Sequence, residues 1–279
     1  MNIVLTCLNN FQEYILTNIE QLIKLGHSNI YVITNSHLLS NFDKYSLKIT
    51  LINADEMSES YNFNTKSILN NTFRDGFWKL TSLRFFYIYE FMKFYNITNV
   101  IHLENDVLIY YNCEELIHLV NRNFVYIPFD TFKRNIASIM YIPNNEIFKT
   151  ILDNYDFNKN DMENFSNIKQ KTGIIQNLPI FIKNDNLTDE QKFVSKNSDI
   201  FPFIFDAAAI GQYLGGVDPR NIAGDTKGFV NETCVIKYNK YHIWFEEFEG
   251  IKKPFIKIED KKVPIFNLHI HSKKLEDFV

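Results

Sequence analysis

Glu104 and Asp106 stand one residue apart where an apolar run ends, in Asn99-Val100-Ile101-His102-Leu103-Glu104-Asn105-Asp106-Val107-Leu108-Ile109. In an extended chain, residues i and i+2 project to the same side, so the two carboxylates can face one site. An isolated acid-x-acid usually caps a turn. Here both flanks are apolar, and carboxylates beside a core need partners or a cation. Hard oxygen ligands of this kind suit magnesium or manganese, which share their coordination with water and substrate phosphates.

A second group lies near the other end, in Pro264-Ile265-Phe266-Asn267-Leu268-His269-Ile270-His271-Ser272-Lys273-Lys274. Strand alternation puts Asn267, His269 and His271 on one face and Leu268 and Ile270 on the other. Two imidazoles followed at once by lysines can complete a metal site and hold a diphosphate. Neutral imidazole ligates manganese, and an ammonium is a point charge for phosphate. Alternation leaves the choice between His269 and His271 open.

These groups need a scaffold, and the first half of the chain supplies one. Ile3–Cys7 reads as a strand, and Phe11–Leu25 has helical spacing that stops at Gly26. Strands at 30–34 and 49–53 precede a long amphipathic helix or helix pair over 72–95, which Asn96 can end. Strands at 100–103, 124–127 and 137–142 follow. Strands alternating with helices favour parallel pairing, and ligands collect at the carboxyl ends of such strands. The polar stretches 153–170 and 183–199 read as surface helix or loop. Further on, the pattern predicts a helix around Asp206–Leu214, a loop from Gly215 to Gly228, and strands near 234–238, 241–245 and 254–258. No Pro/Gly/Ser-rich linker divides the 279 residues, so one domain is expected.

A net charge of −4 gives no basic field for a phosphate backbone, which argues against nucleic acid as a partner. The chain is rich in Phe, Tyr, Asn and Lys, so any single residue of these types counts for little. Cys7, Cys113 and Cys234 show no metal or disulfide spacing. The N-terminus lacks a basic n-region, and no apolar run reaches the roughly 20 residues that cross a bilayer. A soluble protein without a transmembrane segment, located in the cytoplasm, is expected. GxGxxG and P-loop patterns are missing.

The combination of apolar strand, acid-x-Asp and apolar strand with a distant strand-borne His and then Lys resembles the GT-A glycosyltransferases. The likeness is to the glycogenin-like and lipopolysaccharide-galactosyltransferase-like enzymes. It implies a Rossmann-like, mostly parallel α/β sheet flanked by helices, with an irregular second half. Residues 1–130 would bind the nucleotide sugar; residues 131–279 would bind the acceptor and supply a C-terminal metal- and phosphate-binding tail. It implies transfer of a hexose or N-acetylhexosamine from a UDP-sugar to a glycan or glycoprotein hydroxyl, with Mn2+ or Mg2+ as cofactor. By the resemblance, Glu104 and Asp106 hold the metal with His269 or His271, and Lys273 contacts the donor phosphates. Thr6, Asn9 and Tyr14 fall where the first strand and loop receive the nucleoside. Lys79 and Arg84, on the helix before the acids, contact donor sugar or phosphate, as do Glu104, Asn105 and Asp106. Asp206 falls where an acid binds donor-sugar hydroxyls; if transfer is inverting it is the first candidate for the catalytic base, ahead of Glu246 and Asp218, and its plainer reading is the N-cap of the helix that follows. The chain departs from the family in having Glu104 where Asp is usual, and in a shorter tail with two histidines. Two other readings share these ligands: a metal-dependent phosphate hydrolase, and a nucleotide-sugar-binding module without turnover.

Overall fold

The computed structural model describes residues 1–70, 72–221 and 233–279; positions 222–228 of the expected Gly215–Gly228 loop lie outside them. Strand β1 (Asn2–Cys7) leads into helix α1 (Tyr14–Lys24), whose Ile15, Ile19 and Leu22 are fully buried. The helix stops before Gly26, which adopts φ 83° and so takes the left-handed turn at no steric cost. Strands β2 (Ile30–Thr34) and β3 (Thr50–Asn53) follow, then a short helix α2 (Phe63–Lys66). Helix α3 (Phe77–Tyr95) starts later than the apolar pattern predicts, because Arg74, Asp75 and Gly76 all have positive φ. Asn96, at φ 53°, ends it as expected.

Strand β4 (Val100–Leu103) is wholly buried and runs into the acids, and β5 (Val107–Ile109) leaves them. Then come β6 (Val125–Pro128), β7 (Ile139–Ile142), α4 (Asn145–Leu152), α5 (Asp161–Thr172), β8 (Ile175–Leu178) and α6 (Asp189–Val194). Both polar stretches thus carry a helix. Asn160 caps α5 by accepting from the Glu163 amide at 3.0 Å, and Gly173 closes it.

The central sheet has the order β3-β2-β1-β4-β7-β6-β8. Pairings are parallel from β3 to β4 and between β6 and β8; β7 runs antiparallel to both its neighbours. This is the mostly parallel α/β sheet flanked by helices that the sequence implies. Since β1, β2 and β4 run the same way, their carboxyl ends open on one edge, and Leu8, Asn35 and Glu104 follow them there.

The second half departs from expectation in two places. Residues 206–214 form no α-helix: bends lead to a 3-10 turn at Gly211–Tyr213. Residues 234–238 form no strand, and a 3-10 turn at Tyr238–Lys240 replaces it. Strands β9 (Ile243–Phe248), β10 (Ile251–Ile258) and β11 (Lys261–Pro264) make a separate antiparallel sheet. Strand β12 (Asn267–His269) then pairs antiparallel with β5, setting Asn267 against Ile109, Leu268 against Leu108 and His269 against Val107. That register carries the late histidines to the mid-sequence acids.

Candidate metal centre

The turn between β4 and β5 is held from behind. Asn18 of α1, fully buried, donates through Nδ2 to the carbonyls of Glu104 (3.3 Å), Asn105 (3.2 Å) and Val107 (3.0 Å). Asn105 Nδ2 donates to the Thr6 carbonyl at 2.8 Å and to Gln12 Oε1 at 2.6 Å. Both donor contacts read from the sequence at Thr6 and Asn105 thus serve here to brace the turn, Thr6 through its backbone. With the backbone pinned, the Glu104 and Asp106 side chains project to the same side.

From the other side, the Ile270 amide donates to the Asp106 carbonyl at 2.9 Å, and His269 Nε2 lies 2.9 Å from Asp106 Oδ2. Lys273 donates to the same Oδ2. His269 Nδ1 faces Glu104 Oε2 at 3.7 Å and has no hydrogen-bond partner among the described residues. One ligand atom each from Glu104, Asp106 and His269 falls within 4.8 Å of the others. Two hard carboxylates and an imidazole with an orphaned buried nitrogen suit a divalent manganese or magnesium ion.

His271 stands beside His269, with ring centroids 4.8 Å apart, but outside this three-residue group. Burial, with the nearby His269 and Lys273, brings its pKa down to about 3. For His269 burial also opposes the charged form, yet Asp106 outweighs it and the pKa rises. The Asp106 carboxyl, although buried, is held well below its ordinary range by His269 and Lys273.

Ion pairs extend on both sides. Arg84 of α3 pairs with Glu104, and reaches Asp161 Oδ2 at 3.2 Å. Lys273 Nζ lies 3.8 Å from Asp218, which also pairs with Arg74. Arg74, Asp218, Lys273, Asp106, His269, Glu104, Arg84 and Asp161 therefore form one row of alternating sign once His269 is protonated. Tyr14, at the start of α1, has Lys273 Nζ 5.7 Å from its ring centroid, and burial with Asp106 nearby raises its pKa.

Asn9 and Lys79 line a neighbouring cavity of about 460 Å3, with Leu8, Asn35, Leu83 and Tyr87 among its other walls. Helix α3 joins the two regions: Lys79, Leu80 and Leu83 face the cavity and Arg84 faces Glu104.

Asp206 corrects the sequence reading. It is fully buried, and its oxygens accept four backbone amides: Ala209 (2.7 Å) and Ile210 (2.8 Å) on Oδ1, Gly211 and His269 (both 2.9 Å) on Oδ2. A carboxylate offers about four acceptor directions, and here all are taken. Asp206 is therefore a clasp that folds 206–211 into a turn and ties it to β12, which is why no helix forms there. It has no lone pair to offer a substrate proton or sugar hydroxyl. Glu246 stands on the separate sheet, where it accepts from Trp244 at 2.8 Å and from Lys262 at 2.5 Å.

No family model matches the sequence, and no curated protein matches it. Solved structures do resemble the fold. The apo form of mouse xyloside xylosyltransferase 1 aligns over 64% of this chain and 84% of its own, at 9% identity and a TM-score of 0.44. The glycosyltransferase GlyE of Streptococcus pneumoniae aligns over 63% of this chain at 14% identity and a TM-score of 0.42; the match spans 45% of that protein's length. A cytidylyltransferase of Leptospira borgpetersenii aligns over 66% of this chain and 77% of its own, at 10% identity and a TM-score of 0.41.

Two contributors escaped the sequence reading. Asn18 is the single Asn of its helix in an Asn-rich chain, and Asp161 lies in a polar stretch with no apolar run to mark it. The alternation that placed His269 held no signal for either.

Proposed function

We propose that the protein is a metal-dependent glycosyltransferase that moves a hexose or N-acetylhexosamine from a UDP-sugar to a hydroxyl of a glycan or glycoprotein. The observation that carries this reading is the meeting of Glu104, Asp106 and His269 with Lys273 on the same Asp106 oxygen. A diphosphate leaving group gains negative charge as the sugar departs, and a cluster of this composition answers that charge. A divalent cation held by Glu104, Asp106 and His269 would act as a Lewis acid on the diphosphate. Lys273 adds a fixed positive charge beside it. Asn18 and Asn105 hold the turn that bears both carboxylates. The cavity bearing Asn9 and Lys79 is the place for the nucleoside. Of the carboxylates considered for proton acceptance, Asp218 is the one beside the cluster.

The purified protein with Mn2+ and UDP-glucose, UDP-galactose or UDP-N-acetylglucosamine is expected to release UDP slowly. Asp106→Ala should lower that release at least about a hundredfold, because it removes both a metal ligand and the partner of Lys273. Cleavage of simple phosphoesters with no use of any nucleotide sugar would favour a hydrolase and contradict the proposal.

A further inference from the structure

Arg84 and Asp161 are both deeply buried, with side-chain exposures of 7% and 6%. One guanidinium nitrogen of Arg84 serves Glu104 Oε1; another serves Asp161 Oδ2 at 3.2 Å and the Ala137 carbonyl at 3.5 Å. The second Glu104 oxygen, Oε2, is the one that faces the orphaned His269 Nδ1. Glu104 is thus shared between a buried cation of the chain and the centre of the candidate metal site.

That sharing is an electrostatic competition. With Glu104 as its only partner, Arg84 would neutralise it, and drawing Glu104 toward a metal would strand a guanidinium in low dielectric, which is costly. Asp161 changes the balance: two carboxylates and one guanidinium leave one net negative charge. We infer that Asp161 is a positioning residue of the cation site, which by holding Arg84 leaves Glu104 free to serve a divalent ion. The inference rests on the metal site proposed above. Asp161 occupies the first position of α5, where the helix N-terminus favours a negative charge. Burial pushes its carboxyl up to about 6, against the pull of Arg84.

The test is Mn2+ alone, titrated at neutral pH and followed by the paramagnetic resonance of the free ion. Asp161→Asn keeps the shape and removes the charge, and is expected to weaken Mn2+ binding by about tenfold or more. Adding Arg84→Met removes the competitor, so the double variant is expected to regain wild-type affinity. A merely structural role for Asp161 predicts no such recovery. Equal affinity in wild type and Asp161→Asn, or a double variant no better than the single one, overturns the inference and leaves the metal site standing. A wild-type chain that binds no Mn2+ overturns the metal site and the inference together. Should Asp161→Asn not fold, the comparison is between Arg84→Met and the double variant. Equal affinity supports the inference, and a further loss overturns it.

Discussion

Asp106 takes His269 and Lys273 on one oxygen, and its low pKa is the combined result of those two cations working against burial. The pairing keeps the carboxylate charged and oriented before any ligand arrives, at the cost of making a metal compete with an ammonium. Such a site is only as accurate as the turn that bears it. Asn18 supplies that accuracy, since one buried amide serves three carbonyls of the 104–107 turn. Asn18→Ala would leave those carbonyls short of a donor and should cost about 2 kcal/mol of stability. Urea denaturation measures the loss, and an unchanged midpoint would show that the turn holds itself.

Among the elements, β12 decides whether there is a site at all. Its register with β5 fixes His269 beside Asp106, and Asp206 fixes β12 in turn by accepting the His269 amide. Gly211 completes the arrangement: a Cβ there would run into the His269 carbonyl and crowd Asp206. Gly211→Ala is expected to cost about 2–3 kcal/mol through overpacking and to weaken Mn2+ binding as His269 shifts. Calorimetry with and without Mn2+ reads both effects, and a variant that melts and binds like wild type would contradict this role. The elements were legible where periodicity alone decides them. The strand before Glu104, the histidines' shared face and the end of α3 at Asn96 all follow from local pattern. Residues 206–214 were misread for a physical reason. The run of Ala207, Ala208 and Ala209 has helical propensity, but the buried Asp206 offers the backbone amides a tighter set of bonds. A buried carboxylate that folds back on the amides just ahead of it, and is fixed there by the distant His269 amide, leaves no trace in spacing. The same holds for Asp161, whose importance depends on Arg84, 77 positions away.

In the whole molecule, the mostly parallel sheet carries the cavity lined by Asn9 and Lys79 and the acids on one edge, and the last strand, β12, closes onto that edge. No helix among the described residues is long and apolar enough to cross a membrane. The fold also carries a pH dependence away from the site. Burial brings the His27 pKa from 6.5 down to about 4. Its folded pKa lies below its unfolded value, so the unfolded chain binds more protons between those pH values. Stability therefore falls as pH drops from 6.5 toward 4, by up to about 3 kcal/mol from this residue. Thermal melts across that range should show the decline, and His27→Gln should flatten it. An equal slope in the variant would assign the effect elsewhere.

The site proposed is a cation held jointly by residues from the middle and the end of the chain. Crystals soaked in manganese chloride with UDP, measured for anomalous scattering at the manganese edge, address it directly. One strong peak is expected within ligand distance of Glu104, Asp106 and His269. Manganese bound elsewhere, or a peak touching the carboxylates with His269 turned away, would contradict it.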